Sequence, residues 1–335
     1  MNAAEQWPVA LANGWHPIAY SDEVKGKPHP AELMGRSLVI FRGRDGVGIL
    51  EDRCPHRNVP LSQGKVAGDA VACPYHGWQF DAAGDCVNVP GASSCPAVSA
   101  KAYPVVERNG LIWTSLAETP LDFPDIPSEI EDPDQDCFWW QLPSFEGRIL
   151  DAIENLLDPM HSYFLHPGLV RTSSTPRLTE VHVTQNDKGC TARFSESKGA
   201  MTLLQKLTEG DRLHSYCRYI APNMAQVAFE DSKGMQVTIS VIFSQTNAGM
   251  TRPYAHFSTR KSWLPAWLKR AMIILFHIKV LSQDRAMIKA QLHNSERFGG
   301  IRYRNGPLDI FGPAIWALAN GQPVETKTYD LHITP

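Results

Sequence analysis

Two short cysteine–histidine pairs place the strongest limit on what this chain can fold into. The first pair is Cys54-x-His56 and the second is Cys73-x2-His76, with sixteen residues between them. Each pair is short enough to occupy one loop, and two such loops can face each other across a strand hairpin. The pattern therefore predicts a local β fold that brings four ligand-type side chains together.

Two cysteines and two histidines can bind either zinc or a Rieske-type [2Fe–2S] cluster. Structural zinc sites usually group like with like, two cysteines first and two histidines later. Here each loop supplies one cysteine and one histidine, which suits a cluster with two thiolates on one iron and two imidazoles on the other. Neutral imidazoles leave less negative charge on their iron, so the reduction potential of such a cluster exceeds that of an all-thiolate one. A zinc knuckle, or cysteines placed by coincidence, is the alternative.

The residues around the two pairs fit a cluster as well. Pro55 and Pro74 stiffen the loops, Gly77 allows the backbone to approach closely, and Trp78 can shield one face from water. The other cysteines have no ligand-like neighbours and are predicted to be small buried residues: Cys86, Cys95, Cys137, Cys190 and Cys217.

A second group of polar residues lies downstream. Asn155, Asp158 and His161 follow one another at i, i+3 steps, so a helix would place them on or near one face. His166 follows His161 by five residues, which on a regular helix turns it away from that face. Pro159 removes a backbone hydrogen bond and predicts a kink or a π-type bulge, which would bring the two histidines together.

Two imidazoles need a third protein ligand if iron(II) is to keep positions open for oxygen, and a carboxylate is the expected one. The spacing of Asp158 from His161 suits a supporting role. Asp284, in the helical tail predicted over 264–296, is the predicted ligand.

A pair of histidines in a polar helix is usually not a metal site. The upstream cluster favours the metal interpretation, because an electron carrier needs an electron acceptor. The remaining histidines lack such spacing and are predicted to be ordinary structural residues: His16, His29, His182, His214, His256, His277, His293 and His332.

Composition excludes several classes of partner. A net charge of −3 and a pI near 6.5 argue against a nucleic-acid surface. The first residues lack a basic and apolar leader, and the irregular cysteines indicate thiols or metal ligands, so a cytoplasmic protein is expected. The apolar stretch 263–281 is interrupted by charges, which predicts a buried or half-buried helix and no membrane span.

The chain changes character along its length. Strands are predicted at 37–41 and 47–50, on either side of an Asp-Gly hairpin signal. An acidic, proline-containing stretch then predicts a linker, and the apolar spacing of 139–165 predicts a helix. Alternating residues predict further strands over about 179–260.

Taken together, these residues resemble the terminal oxygenase subunits of Rieske non-haem iron oxygenases. Length and motif style are most similar to the branch that contains vanillate and dicamba O-demethylases and related N-demethylases and hydroxylases. The resemblance runs from Trp15 through the 290s and is carried by Cys54-Pro-His56-Arg57, Cys73-Pro-Tyr-His76-Gly-Trp, Asn155-Leu-Leu-Asp158-Pro-Met-His161 with His166, and Gln283-Asp284.

The resemblance implies an α+β fold in three segments. Residues 1–118 would form an antiparallel-β Rieske [2Fe–2S] domain, 119–137 an acidic linker, and 138–335 a helix-grip (START-like) catalytic domain with an antiparallel sheet. It also implies a homotrimer packed head to tail.

The implied site roles follow residue by residue. Cys54, His56, Cys73 and His76 would hold the cluster, and His161, His166 and Asp284 the mononuclear Fe(II). Asp158 would bridge His161 and the partner subunit's His76 as an electron path, with Asn155 as a supporting residue.

The expected activity is that of a monooxygenase component. It would use O2 to hydroxylate, or oxidatively O- or N-demethylate, a small and mostly apolar aromatic or polycyclic substrate. Electrons would come from a separate reductase, and possibly a ferredoxin, so that NAD(P)H acts only indirectly. Two alternatives are a cis-dihydroxylating arene dioxygenase and a Rieske electron-transfer protein without oxygenase activity.

Overall fold

The computed structural model describes residues 7–167, 169, 179–196, 214–232 and 234–333. The chain divides into two compact units. The first contains Met1–Trp7, Ala12–Phe123 and Ser244–Ala248, and the second contains Pro8–Leu11, Pro124–Phe243 and Gly249–Pro335. The domain boundaries expected at 118 and 137 stay predictions.

The first unit is built from short strands in three antiparallel sheets, with strand orders β1-β10-β9, β2-β3-β4 and β5-β6-β7-β8. The strands are β1 (His16–Tyr20), β2 (His29–Leu33), β3 (Arg36–Arg42), β4 (Val47–Glu51), β5 (Lys65–Ala67), β6 (Ala70–Ala72), β7 (Gln79–Phe80), β8 (Cys86–Asn88), β9 (Val105–Arg108) and β10 (Leu111–Thr114).

The hairpin of β3 and β4 confirms the strands predicted at 37–41 and 47–50. Its buried residues, with those of β6 and β7, form a core that includes Val39, Phe41, Leu50, Val71 and Phe80. The two cysteines of the motif belong to this same core. The sulfur side of the site is therefore fixed by core packing.

The second unit is dominated by one nine-stranded antiparallel sheet, ordered β11-β18-β17-β16-β15-β14-β13-β19, with β12 paired to β18. The strands are β11 (Gln135–Gln141), β12 (Phe145–Glu146), β13 (Thr179–Asn186), β14 (Gly189–Glu196), β15 (His214–Ile220), β16 (Met224–Asp231), β17 (Gly234–Asn247), β18 (Met250–Arg260) and β19 (Lys327–Ile333). This fold is the expected α+β arrangement.

The helices of the described chain are α1 (Val9–Asn13), α2 (Ile149–Leu157), α3 (His161–Leu165), α4 (Ala266–Arg297) and α5 (Gly312–Ala319). The apolar face of α2, which includes Ile149, Ile153 and Leu157, is buried, and α2 contacts β15, β16, β18 and α4. The predicted helix at 264–296 is confirmed as α4. Among the described residues, no helix has the length and apolar character required to cross a membrane.

The helix predicted over 139–165 is wrong at its beginning and at its middle. Trp139 and Trp140 lie in β11, which pairs along its whole length with β18. Aromatic side chains favour a pleated surface when a partner strand is available, and the local apolar spacing did not reveal that partner. The helical part begins only at Ile149 and is interrupted at Pro159.

The prediction that the remaining cysteines are buried is only partly right. Cys190 and Cys217 are buried, whereas Cys86 and Cys95 are half-buried and Cys137 is exposed. Cys137 lies on β11, at the edge of the sheet order. An edge strand has less of its surface covered, which explains the difference.

Candidate metal centres

The two cysteine–histidine loops turn in the same way. The amide of Asn58 donates to the carbonyl of Cys54 at 2.8 Å, and the amide of Gly77 donates to the carbonyl of Cys73 at 3.1 Å. Asn58 and Gly77 have φ values of 61° and 74°, the left-handed region that glycine and asparagine tolerate best. Each loop thus reverses four residues after its cysteine.

This shared geometry brings the four predicted cluster residues together. Cys54 and Cys73 are only 1% and 4% exposed, and the Cys73 thiol is close enough to contribute to the raised pKa of Cys54. The rings of His56 and His76 lie 4.7 Å apart between centroids. His76 is exposed and His56 half-buried, so the sulfur ligands face the core and the imidazoles face outward.

The donor set fits a [2Fe–2S] cluster. Burial is the main cause of the raised pKa of the Cys54 thiol, while backbone amides of His56 and Arg57 oppose it by donating towards the sulfur. Amides directed at a thiolate are what a cluster sulfur requires. The Nδ1 atom of His56 is buried and bonds to no other described residue, and Trp78 stacks on this ring at 4.4 Å. A ring held in place with an unpaired buried nitrogen is suited to a metal bond.

The second candidate site begins at a break between two helices. Helix α2 ends at Leu157 and α3 begins at His161, so Pro159 ends the helix instead of bending it or widening one turn. The carboxylate of Asp158 accepts hydrogen bonds from the amides of Met160 at 2.7 Å and His161 at 3.1 Å. Asp158 therefore satisfies amides that would otherwise be unpaired at the start of α3.

The break brings the two histidines to one carboxylate on α4. Nε2 of His166 lies 2.9 Å from Oδ1 of Asp284, and Nε2 of His161 lies 3.5 Å from the same oxygen. One ligand atom from each of the three residues lies within 4.8 Å of the other two. Two imidazoles and one carboxylate at this spacing can bind a divalent metal and leave coordination positions open.

The electrostatics of this trio also suit a cation. Burial raises the pKa of Asp284, although both histidines oppose the shift. Burial alone would lower the pKa of His161, but the carboxylates of Asp158 and Asp284 raise it overall. Both shifts favour the protonated form, and a divalent metal would compete with those protons on binding.

Neighbouring amides orient the trio. Nδ1 of His166, whose side chain is 1% exposed, lies 2.9 Å from Oε1 of Gln283. A proton donated from Nδ1 to this oxygen leaves the lone pair on Nε2, which faces Asp284. Asn155 lies beside the carboxylate of Asp284 and lowers its pKa, which opposes the effect of burial. The structure thus places Asn155 beside the predicted ligands, and it adds Gln283, which the sequence analysis did not assign a role.

An apolar cavity of about 230 Å³ opens beside these residues. Its described lining comes from β11, β12 and β15 to β18 and from α2, α3 and α4. Most side chains are apolar, among them Val227, Ile239, Phe243, Phe257, Val280 and Leu281. Such a cavity favours a small, mostly hydrophobic molecule.

His277 also lines this cavity, although the sequence analysis assigned it no function. One signal was present in the sequence. His277 precedes Asp284 by seven residues, about two helical turns, so the two share a helix face.

Comparison with known proteins identifies the first unit. Residues 14–104 match the family described as Rieske [2Fe-2S] domain. This match decides between the cluster and the zinc alternative in favour of the cluster.

Curated relatives match about half of the chain. Methylxanthine N1-demethylase NdmA of Pseudomonas putida is 36% identical over 47% of this chain and 48% of its own length. Chloroacetanilide N-alkylformylase, oxygenase component, of Rhizorhabdus wittichii is 34% identical over 50% of each chain. The 3-ketosteroid-9-alpha-monooxygenase oxygenase component of Rhodococcus rhodochrous is 31% identical over 49% of this chain and 44% of its own length. The chain spans about half the length of the curated relatives it matches.

Solved structures extend the similarity in fold to nearly the whole chain. Dicamba monooxygenase bound to dicamba has a TM-score of 0.78 at 22% identity, over 92% of this chain and 97% of that one. Pseudomonas putida NdmA with caffeine has a TM-score of 0.76 at 19% identity, over 97% of this chain and 99% of that one. The predicted resemblance is confirmed: the chain is a relative of the oxygenase components of Rieske monooxygenase and demethylase systems and carries a Rieske [2Fe–2S] domain at residues 14–104.

Proposed function

We propose that this protein is the terminal oxygenase component of a Rieske monooxygenase system. One observation carries the proposal. His161, His166 and Asp284 place ligand atoms within 4.8 Å of one another at the wall of an apolar cavity, in a chain that also has a Rieske domain. An electron carrier alone would need neither the trio nor the cavity.

The side chains around the cavity support a role in oxidation. Gln283 holds the ring of His166, and Asn155 lies beside the carboxylate of Asp284, so a polar side chain supports each of these two proposed ligands before a metal binds. When bound, the iron and the cluster would supply oxygen activation and electrons, which protein side chains cannot. The apolar wall would exclude water and hold a C–H bond of the substrate near the ligands.

The proposed reaction is hydroxylation of a small, mostly apolar aromatic or polycyclic substrate. If the oxidised carbon belongs to a methoxy or N-methyl group, the resulting hemiacetal or hemiaminal collapses and the product is demethylated. The relatives reported above are named as monooxygenase, demethylase and N-alkylformylase components. These names favour such a reaction over cis-dihydroxylation.

The proposed electron donor is a separate reductase, with or without a ferredoxin, so NAD(P)H would act only through it. Two of the relatives are named as oxygenase components, which supports a multi-protein system. Arg57 and Lys65 beside the cluster loops are exposed and would attract an acidic donor, whereas Arg53 already pairs with Glu51 at 2.9 Å. We propose that the protein acts with this donor in the cytoplasm.

We also propose a homotrimer in which Asp158 connects two subunits. One carboxylate oxygen of Asp158 lies 3.7 Å from Nδ1 of His161, on the side of the ring away from Asp284. In the trimer this carboxylate would bridge His161 to the partner subunit's His76.

Metal analysis tests the proposed function. The purified protein should contain two irons and two acid-labile sulfides per chain in the cluster, and one further iron that a chelator removes without loss of sulfide. His166→Ala should lose only the chelatable iron. The matched control His182→Ala changes a histidine that pairs with Asp330 at the surface, and it should keep all of the iron.

The activity itself is checked with a reductase, methoxyarenes or N-methyl heterocycles, and labelled O2. One labelled oxygen atom should enter the hydroxylated product or the aldehyde released on demethylation. Equal amounts of iron and sulfide in the wild-type protein, with no chelatable iron, would contradict the oxygenase proposal. Two labelled atoms in one product would instead indicate a dioxygenase.

A further inference from the structure

His277 is a polar group in the apolar part of the cavity. It lies on α4, is half-buried, and contacts the ring of Phe257 edge-on at 5.3 Å. The side chains of Phe276 and Val280 on the same helix also line this part of the wall. A molecule that forms a hydrogen bond with a polar side chain in such surroundings binds more favourably than one that leaves it unpaired.

The hydrogen bonding of His277 determines which ring nitrogen faces a ligand. Nδ1 lies 2.8 Å from the backbone carbonyl oxygen of Ile273, and a carbonyl oxygen can only accept. Nδ1 therefore carries the hydrogen, and the lone pair of the neutral ring is on Nε2. Within the described part of the chain, Nε2 has no hydrogen-bond partner.

The surroundings of His277 favour the neutral imidazole. Burial lowers its pKa, and the hydrogen bond to Ile273 only partly opposes this. A neutral imidazole with its hydrogen on Nδ1 offers the cavity a hydrogen-bond acceptor and no positive charge.

The distance along α4 between His277 and Asp284 indicates how long a bound molecule must be to reach both. Seven residues separate His277 from Asp284 on α4, which corresponds to a rise of about 10 Å and a rotation of only about 20°. The two side chains thus lie along one face of the helix, both at the cavity. A molecule that contacts both must be longer than one benzene ring.

The arginine of the described cavity lining lies at the opposite end. Arg285 is adjacent to Asp284 in the sequence, and its guanidinium donates to the carbonyl of Pro143 at 3.2 Å and lies over the ring of Phe145. Arg285 therefore provides no positive charge at the His277 end.

We infer that His277 orients the substrate by accepting a hydrogen bond from it. The substrate class is then an apolar ring system of at least two rings that carries an O–H or N–H donor at one end and the carbon to be oxidised at the other. This inference rests on the proposed function, because it assumes that the substrate occupies this cavity.

Binding of three matched probes to the metal-loaded protein, without oxygen or reductase, tests the inference. The probes are 6-methoxy-2-naphthol, 2,6-dimethoxynaphthalene, which lacks the donor, and 6-methoxy-2-naphthoate, which carries a negative charge. Titration calorimetry should show that the naphthol binds about three- to tenfold more tightly than the dimethoxy compound. The naphthoate should bind more weakly than the naphthol.

Variants then assign the preference to one side chain. His277→Phe should bring the affinity ratio of naphthol to dimethoxy compound to about one. The control Leu275→Ala changes an exposed residue of the same helix that is outside the described cavity lining, and it should keep the wild-type ratio. Because the ratio is also measured in the wild-type protein, a variant that fails to fold does not decide the result.

The inference is overturned if the wild-type protein binds the two neutral probes equally, binds neither, or prefers the naphthoate. It is also overturned if the preference for the naphthol survives His277→Phe. These measurements need no turnover, so they are independent of the metal and product analyses that test the oxygenase proposal.

Discussion

The two candidate metal sites use the same imidazole chemistry but are built in opposite ways. The cluster residues fall within two loops of one local β structure, between Cys54 and His76. The second site joins His166, which follows a broken helix, to Asp284 at a sequence separation of 118 residues. The first site is therefore held by two loops on one local core, whereas the second needs packing between elements that are far apart in the sequence.

The carboxyl groups of the two units also differ in the direction of their pKa shifts. In the first unit the carboxyls of Asp69 and Glu107 have lowered pKa values, chiefly because each is hydrogen-bonded to an arginine at the surface. In the second unit burial raises the pKa of Asp284 and Glu154. Surface pairing thus favours the ionised form of these two carboxyls of the first unit, whereas burial favours the protonated form of these two of the second.

The largest effect is expected for Cys73→Ser, which removes a thiolate from the local site. The variant should lose the visible absorption of the cluster and its acid-labile sulfide entirely, because a serine hydroxyl does not replace a thiolate ligand of iron. The chelatable iron of the second unit should remain. Iron and sulfide analysis with an absorption spectrum measures both.

Cys95→Ser is the matched control, since Cys95 lies in the same unit outside the two loops and is half-buried. It should keep the cluster. Loss of the chelatable iron from folded Cys73→Ser would show that the two sites are not independent.

A smaller effect is expected for Gln283→Ala, which leaves all proposed ligands in place. Without the Gln283 oxygen, the ring of His166 is no longer held with its hydrogen on Nδ1. The affinity of the second site for Fe(II) should fall about 10- to 100-fold. Competition with a chelator measures it.

The neighbouring Ser282 is exposed, and Ser282→Ala should bind Fe(II) as the wild-type protein does. The cluster spectrum should not change in either variant. An unchanged Fe(II) affinity in Gln283→Ala would show that Gln283 does not support metal binding at the second site.

The smallest effect concerns Glu154 on α2, which burial gives a pKa of about 7, against an ordinary 4.5. The folded protein then binds this proton more tightly than the unfolded chain does. The stabilisation is complete at pH values below about 4.5 and is lost as the pH rises through about 7. The loss should be on the order of 1–3 kcal/mol, since part of the side chain is solvated.

Glu154→Gln carries no such proton, so its stability relative to wild type should increase between pH 5 and pH 8. Denaturant unfolding at several pH values measures this. Glu146→Gln is the control, because Glu146 pairs with Lys289 and His293 at the surface and its pKa is lowered. A relative stability of Glu154→Gln that does not change with pH would contradict the account of a buried carboxyl.

The sequence predicted most where neighbours in the chain are neighbours in space. The hairpin β3–β4 and the long helix α4 were predicted, because turn signals and helical spacing are local properties. The prediction of a helix over 139–165 was wrong at Trp139, which lies in a strand paired with β18. A bend or bulge was expected at Pro159, and the chain instead breaks there, with Asp158 satisfying the free amides of α3.

The sequence by itself determined which residue types the two cysteine–histidine loops carry and which histidines are candidates for the second site. Both depend on residues a few positions apart, whose spacing is constrained by bond geometry alone. Only the tertiary structure decided that Asp284 meets His161 and His166, that Gln283 and Asn155 orient them, and that His277 lines the cavity. These contacts arise when α4 packs beside α2 and the sheet, and that packing depends on side-chain burial along the whole second unit.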